Sequence, residues 1–181
     1  VFAPGGDVTL NANASSSPKD GTVKLYATST WSGAASQTHR IGGHFLALGG
    51  ASVAPSTSTF IFTATTAGKM ISATSSLTFY NLTMSGANGE WDIAGVGTTT
   101  NDFTMSAGTT TLPSGTLAVG GSLNATGGAF LANAGTVKFT AGTAGKTIAL
   151  STSPLNEVLF AGSGGGWTFT DTNATTTGSF T

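Results

Sequence analysis

Glu90, Trp91 and Asp92 are the residues whose types and spacing come nearest to a reaction centre. In an extended strand, positions i and i+2 share a face about 6.7 Å apart, a separation that suits an inverting pair of carboxylates around a glycosidic bond. A related stretch 76 residues on keeps the aromatic as Trp167 but has Gly166 and Thr168 where the acids stood. The two stretches share only the tryptophan, which is what packing requires, so the expectation is that the chain carries no catalytic residue and is not an enzyme. Trp91 and Trp167 are then either glycan-stacking platforms or large side chains filling the core beside glycines. Lys69 and Lys146 each follow Ala-Gly and precede an apolar position. They read as charges that end a turn and discourage lateral strand pairing.

The other chemical candidates are sparse. Trp31, His39 and the only arginine, Arg40, fall close together and form a candidate lateral contact. The chain has no cysteine, which removes disulfides, thiolate-bound zinc and thiol nucleophiles. Its acids are isolated, the calcium-binding Gly-Gly-x-Gly-x-Asp repeat is missing, and no phosphate loop or nucleophile elbow occurs, so no metal and no cofactor are expected. Asn13, Asn81, Asn124 and Asn173 each begin an Asn-x-Ser/Thr pattern, the acceptor for N-glycosylation. Thr98 to Thr100, Thr109 to Thr111 and Thr175 to Thr177 resemble pieces of an ice-binding face, but they return only at long spacing rather than on consecutive rungs.

Whatever positions these residues is poor in charge. Six Lys+Arg and seven Asp+Glu in 181 residues leave a net charge of −1, no field to attract phosphate backbones or acidic lipid. No run approaches the ~18 apolar residues of a membrane span. Neither a nucleic-acid partner nor membrane insertion is expected. Thr and Ser number 34 and 20, and Gly 27. Hydroxyl-rich, glycine-rich, cysteine-free and charge-poor composition suggests an extracellular or cell-surface polymer. The chain begins at Val1 without methionine, which reads as a processed product or one piece of something longer.

The strongest internal signal is self-similarity. Ile41-Gly42-Gly43 aligns with Val119-Gly120-Gly121, Thr59 to Ala64 with Thr136 to Ala141, Ala67-Gly68-Lys69 with Ala144-Gly145-Lys146, Leu82 to Gly86 with Val158 to Gly162, and Asp102-Phe103-Thr104 with Ser179-Phe180-Thr181. Every offset lies between 76 and 78 residues. This divides a single domain, 1–181, into a first long repeat (1–100), a second (101–177) and the start of a third (178–181). Between residues 21 and 38 the first copy holds 17 extra residues, nearly one rung. Ser179-Phe180-Thr181 followed by Val1-Phe2-Ala3 reads as the continuous text of Asp102 to Ala107, so Val1, Phe2, Ala3, Phe180 and Thr181 are the candidate assembly residues.

Inside the long period, segments such as Leu82 to Gly86, Phe103 to Gly108, Leu123 to Gly127 and Val137 to Gly142 alternate apolar and small polar residues about every 20 positions. That period of two marks half-buried strands, and no window shows helical periodicity. Short strands repeating every ~20 residues fit the coils of a β-solenoid, nine or so rungs at about 4.8 Å spacing. The alternative is a set of β-sandwich units. Gly108-Thr109-Thr110-Thr111-Leu112-Pro113-Ser114-Gly115-Thr116-Leu117, with Ala144-Gly145-Lys146-Thr147-Ile148 and Gly166-Trp167-Thr168-Phe169, resembles phrases of bacterial and archaeal β-strand-repeat surface proteins, including autotransporter- and adhesin-like repeats. The resemblance spans about residues 41 to 181. It implies a right-handed β-helix in a secreted or surface-displayed protein, and carries over no catalytic residue.

The expected function is a structural repeat module of an extracellular fibre, filament or adhesin, assembling end to end through exposed β edges. Its partners would be further copies of itself, flanking repeats of a longer chain, or polysaccharide. A carbohydrate-binding surface module and a donor-strand pilin subunit are the alternatives.

Overall fold

Strands in which every second residue is apolar bury half their side chains only by stacking on neighbours with the same alternation. A computed structural model of the chain, which describes residues 1–10, 21–94 and 97–181, carries that arrangement through an all-β solenoid. Among the described residues there is no helix, and every strand pairing is parallel. The sandwich alternative, built on antiparallel sheets, does not occur.

The coil has three sides. The first is an eight-stranded sheet of Val8–Leu10, Thr38–Ile41, Thr59–Phe62, Asn81–Met84, Phe103–Met105, Leu123–Asn124, Lys146–Ala149 and Trp167–Phe169. The second has six strands, Val23–Leu25, Phe45–Ala47, Lys69–Ala73, Glu90–Ala94, Thr109–Thr111 and Ala129–Leu131. The third runs through Leu77–Phe79, Gly97–Thr99, Thr116–Val119, Thr136–Phe139 and Glu157–Phe160. It is prolonged toward the N-terminus by Thr30–Ser32 paired with Ser52–Ala54, which packs against Leu77–Phe79. The chain visits first, second and third side in rotation.

Eight strands on the first side make about seven turns, fewer than the nine that a uniform 20-residue coil predicts. Register partners do lie 20 to 22 residues apart at Phe103–Leu123, Leu82–Phe103 and Thr59–Asn81. Wider corners stretch other coils, to 25 from Leu123 to Ile148, 26 from Phe45 to Ile71 and 31 from Val8 to His39. The stretch from 21 to 38 supplies two sides of one such coil, Val23–Leu25 and Thr30–Ser32.

Alternation decides which side chains enter the core. On the first side His39, Phe60, Leu82, Phe103, Leu123 and Ile148 follow one another in register, each almost fully buried. A second inward row runs Ile41, Phe62, Met84 and Met105. Aromatics dominate between Trp31 and Trp91, where Phe45, Phe60, Phe62 and Phe79 meet edge to face at 5.1 to 6.2 Å. Stacking apolar rows along one axis gives a continuous core although Leu, Ile, Val and Phe are few per coil. On the third side Gly97 stands between Leu77 and Leu117. The missing side chain leaves a small apolar cavity, about 10 Å³, beside Leu77, Ile93 and Leu117.

A polar spine lines the corner that enters the first side. The Asn81 amide donates to Thr59 Oγ1 at 3.2 Å, and Asn81 Oδ1 accepts from Asn101 Nδ2 at 2.9 Å. One coil on, Asp102 Oδ1 accepts the Ser122 N–H at 2.8 Å, and Ser122 Oγ accepts the Thr147 N–H at 3.1 Å. These side chains satisfy backbone and amide groups where strands end and the ladder is interrupted.

The 77-residue repeat does not coincide with whole turns. Thr59–Phe62 on the first side matches Thr136–Phe139 on the third, and Phe45–Ala47 on the second matches Leu123–Asn124 on the first. Each match lies eleven sides along the chain, which on a three-sided coil is three turns and two sides. The repeat therefore preserves inward and outward parity and the corners, while each copy turns onto a different side.

The corners show what is preserved. A Cβ placed on Gly86 would lie 1.6 Å from the carbonyl oxygen of Ala64, and one on Gly162 would lie 1.9 Å from that of Ala141. Only a residue without a Cβ lets the two coils approach so closely. The turn after Gly86 is closed by the Gly89 N–H donating to Gly86 O at 3.0 Å, with Asn88 in the left-handed region at φ 61°, a conformation asparagine tolerates.

Candidate functional site

Strand parity splits the Glu90-Trp91-Asp92 phrase. On Glu90–Ala94 both acids point outward and are exposed, while Trp91 between them points inward, 2% exposed, with its ring 4.9 Å from Phe62. In register on the next coil stand Thr109, Thr110 and Thr111, and Asp92 faces Met70 on the previous one. Together with Gly68 and Leu131 these residues line a shallow surface recess of about 370 Å³. It offers two carboxylates, two threonine hydroxyls and an exposed leucine. Among the described residues no three histidines or acids gather into a metal-binding set.

The two tryptophans differ. Trp91 is core, so its ring presents no open face to a sugar. Trp167 lies on the first side, half-buried, with Nε1 donating to Gly121 O at 3.1 Å and its ring 5.3 Å from Phe160. Lys69 and Lys146 each open a strand, on the second and first side respectively.

Trp31, His39 and Arg40 do not form the surface patch their proximity in sequence suggests. Trp31 and His39 are 2% and 0% exposed, and only Arg40 reaches solvent. The His39 ring sits between Trp31 and Phe60, at centroid distances of 5.1 and 4.9 Å, and neither ring nitrogen has a hydrogen-bond partner. Burial lowers its proton affinity below the ordinary histidine value, with the Asp7 carboxylate opposing that effect.

Of the four glycosylation patterns, Asn13 lies outside the described residues. Asn81 is engaged in the spine through both amide atoms. Asn124 Oδ1 accepts both the N–H and the hydroxyl of Thr126, at 2.9 and 2.8 Å. Asn173 is exposed.

Both end coils carry unpaired edges and exposed apolar side chains. Phe2 is 49% exposed and pairs on one edge only, its N–H donating to Thr30 O and its carbonyl accepting from the Ser32 N–H, both at 2.8 Å. Near it Leu10, Val23, Leu25, Tyr26 and Trp31 line an open recess of about 530 Å³. At the opposite end Phe180, 59% exposed, bridges to Val158 and rests 5.5 Å from Phe160 and 6.0 Å from Phe169. Val1, Ala3 and Thr181 are exposed as well. Among these, the sequence reading did not single out Leu10, Val23, Leu25 or Tyr26. Parity marks the first three as inward, but which coil lies outermost at the N-terminal end is a property of the stack.

No protein-family model, curated protein or solved structure matches the chain. Among the described residues, no helix is long and apolar enough to cross a membrane.

Proposed function

We propose that the chain is a structural repeat module of an extracellular fibre, filament or adhesin, its coils continued end to end through the open strand edges. One observation carries this reading. The end coils present unpaired N–H and C=O groups together with apolar side chains, Phe2 beside its recess at one end and Phe180 at the other. Such edges template further parallel strands, and a head-to-tail contact between unlike ends builds an open filament rather than a closed dimer. The covering coil has the same chemistry whether it belongs to the same polypeptide or to a second copy. The hydroxyl-rich, cysteine-free, nearly neutral composition and the resemblance of its phrases to β-strand-repeat surface proteins favour display outside the cell.

Light scattering on the purified 181-residue chain tests it. Mass is expected to rise with concentration in steps of one protomer, and Phe180→Asp is expected to suppress the rise by placing a charge in the contact. A protomer mass unchanged from about 1 µM to about 1 mM, a range that would reveal affinities down to about −4 kcal/mol, contradicts the proposal.

A further inference from the structure

His39 is the one charge-bearing side chain turned into the aromatic core near the N-terminal end. It occupies an inward position in register with Val8 on one coil and Phe60 on the next. Its ring is enclosed by Trp31 and Phe60, and both nitrogens lack partners. We propose that His39 is an acid-sensitive latch: its protonation releases the N-terminal coils and uncovers the strand edge of Thr59–Phe62, while the coils beyond it stay folded.

The charged and titratable groups around the latch are few. Asp7 begins the strand Val8–Leu10, and its Oδ1 accepts the Thr38 N–H at 2.7 Å. Arg40, on His39's own strand, points outward. His44 precedes Phe45–Ala47 and accepts the Met70 N–H at its Nδ1, 3.2 Å away. Lys24 is exposed on Val23–Leu25, and the Val1 amino group lies next to Phe2. Thr30–Ser32 and Thr59–Phe62 carry no charge. An imidazolium here would lose its water and gain no hydrogen bond, with the single carboxylate of Asp7 as its counter-charge.

The direction of the effect follows from linkage. Folding holds His39 neutral below its ordinary value of 6.5, so the unfolded segment binds the extra proton. The stability of these coils is therefore full above about pH 6.5 and falls as the pH drops through the lowered folded value. The fall is local because each coil of a solenoid is held chiefly by its two neighbours. The Thr59–Phe62 edge then takes over as the N-terminal end of the stack. The release itself does not depend on the filament reading.

Hydrogen-exchange protection, corrected for intrinsic rates, of the intact chain at pH 7.5, 6.0 and 5.0 tests the latch. Peptides within residues 21–58 are expected to lose protection by about tenfold for each pH unit crossed in the titrating range. Peptides within 97–160 should stay within about twofold across the same range, as local opening requires. His39→Leu, or His39→Phe should the leucine variant not fold, removes the loss, whereas Asp7→Asn retains it. Wild-type protection that does not change with pH overturns the latch. So does a loss that persists without the histidine, one abolished by Asp7→Asn, or one spread equally over all coils.

Discussion

Gly86→Ala is expected to cost about 3 kcal/mol or more, at the upper end of what overpacking does. The new methyl carbon would lie 1.6 Å from the carbonyl oxygen of Ala64, less than half the ordinary contact distance for a carbon near another heavy atom, about 3.5 Å. The obstacle is backbone, so no side-chain rotation relieves it. Coils are spaced about 4.8 Å apart, and moving this corner away breaks the Ser85 N–H donation to Phe62 O at 2.8 Å. Gly162→Ala, 1.9 Å from Ala141 O, is expected to behave alike. Thermal melts followed by circular dichroism should register roughly 10 °C for either, at 2–4 °C per kcal/mol in a chain of this size. Gly97→Ala is the control, because a Cβ there meets only Leu117 Cδ1, at 3.7 Å, beside the existing cavity. A melt in which the first two variants match the control would remove close corner stacking from the account.

Phe60→Ala is the second large effect. Phe60 is fully buried, and its ring touches Trp31, His39, Phe45 and Phe79 at centroid distances of 4.9 to 6.1 Å. Truncation removes the apolar contacts of a whole ring and leaves a cavity that neighbours fixed on three sides collapse into poorly. The expected loss is about 4 kcal/mol, with a marked drop in near-ultraviolet dichroism because Trp31 loses a fixed neighbour. Phe180→Ala, at a 59% exposed position, should cost under about 1 kcal/mol by the same scale. Chemical unfolding of both variants checks the contrast, and equal losses would mean that Phe60 is not in the core.

Parity explains what could be read in the chain beforehand and what could not. Phe60 and Phe62, with Ile61 opposite, or Phe103 and Met105 with Thr104, announce a strand and its buried face without further information. His39 was legible by the same rule, since it shares parity with Ile41 while Arg40 opposes both. The polar pair His39-Arg40 masked that rule and suggested a surface corner. The self-similarity of Thr59–Phe62 and Thr136–Phe139 was visible as letters, but its meaning depends on coil length, and corners such as the one between Leu123 and Ile148 vary with no strand signal. The repeat was therefore apparent, and the turn of each copy onto a new side was not. The spine through Asn81, Asn101 and Asp102 was likewise hidden, because it joins residues about 20 apart that carry no apolar pattern. The carboxylates of Glu90 and Asp92 were placed correctly on one face, and Trp91 on the other, by alternation alone.

Paired cysteines measure the coil register most directly. Thr83 and Thr104 are register partners on neighbouring coils of the first side, both facing outward, at a spacing of about 4.8 Å that lies within the Cα range for a disulfide. Thr83 and Leu159 correspond through the 76-residue offset but lie on the first and third sides. Under mild oxidation Thr83→Cys/Thr104→Cys should close an intramolecular bond and Thr83→Cys/Leu159→Cys should not. Closure of the second pair, or failure of the first with the chain folded, would contradict a three-sided parallel coil.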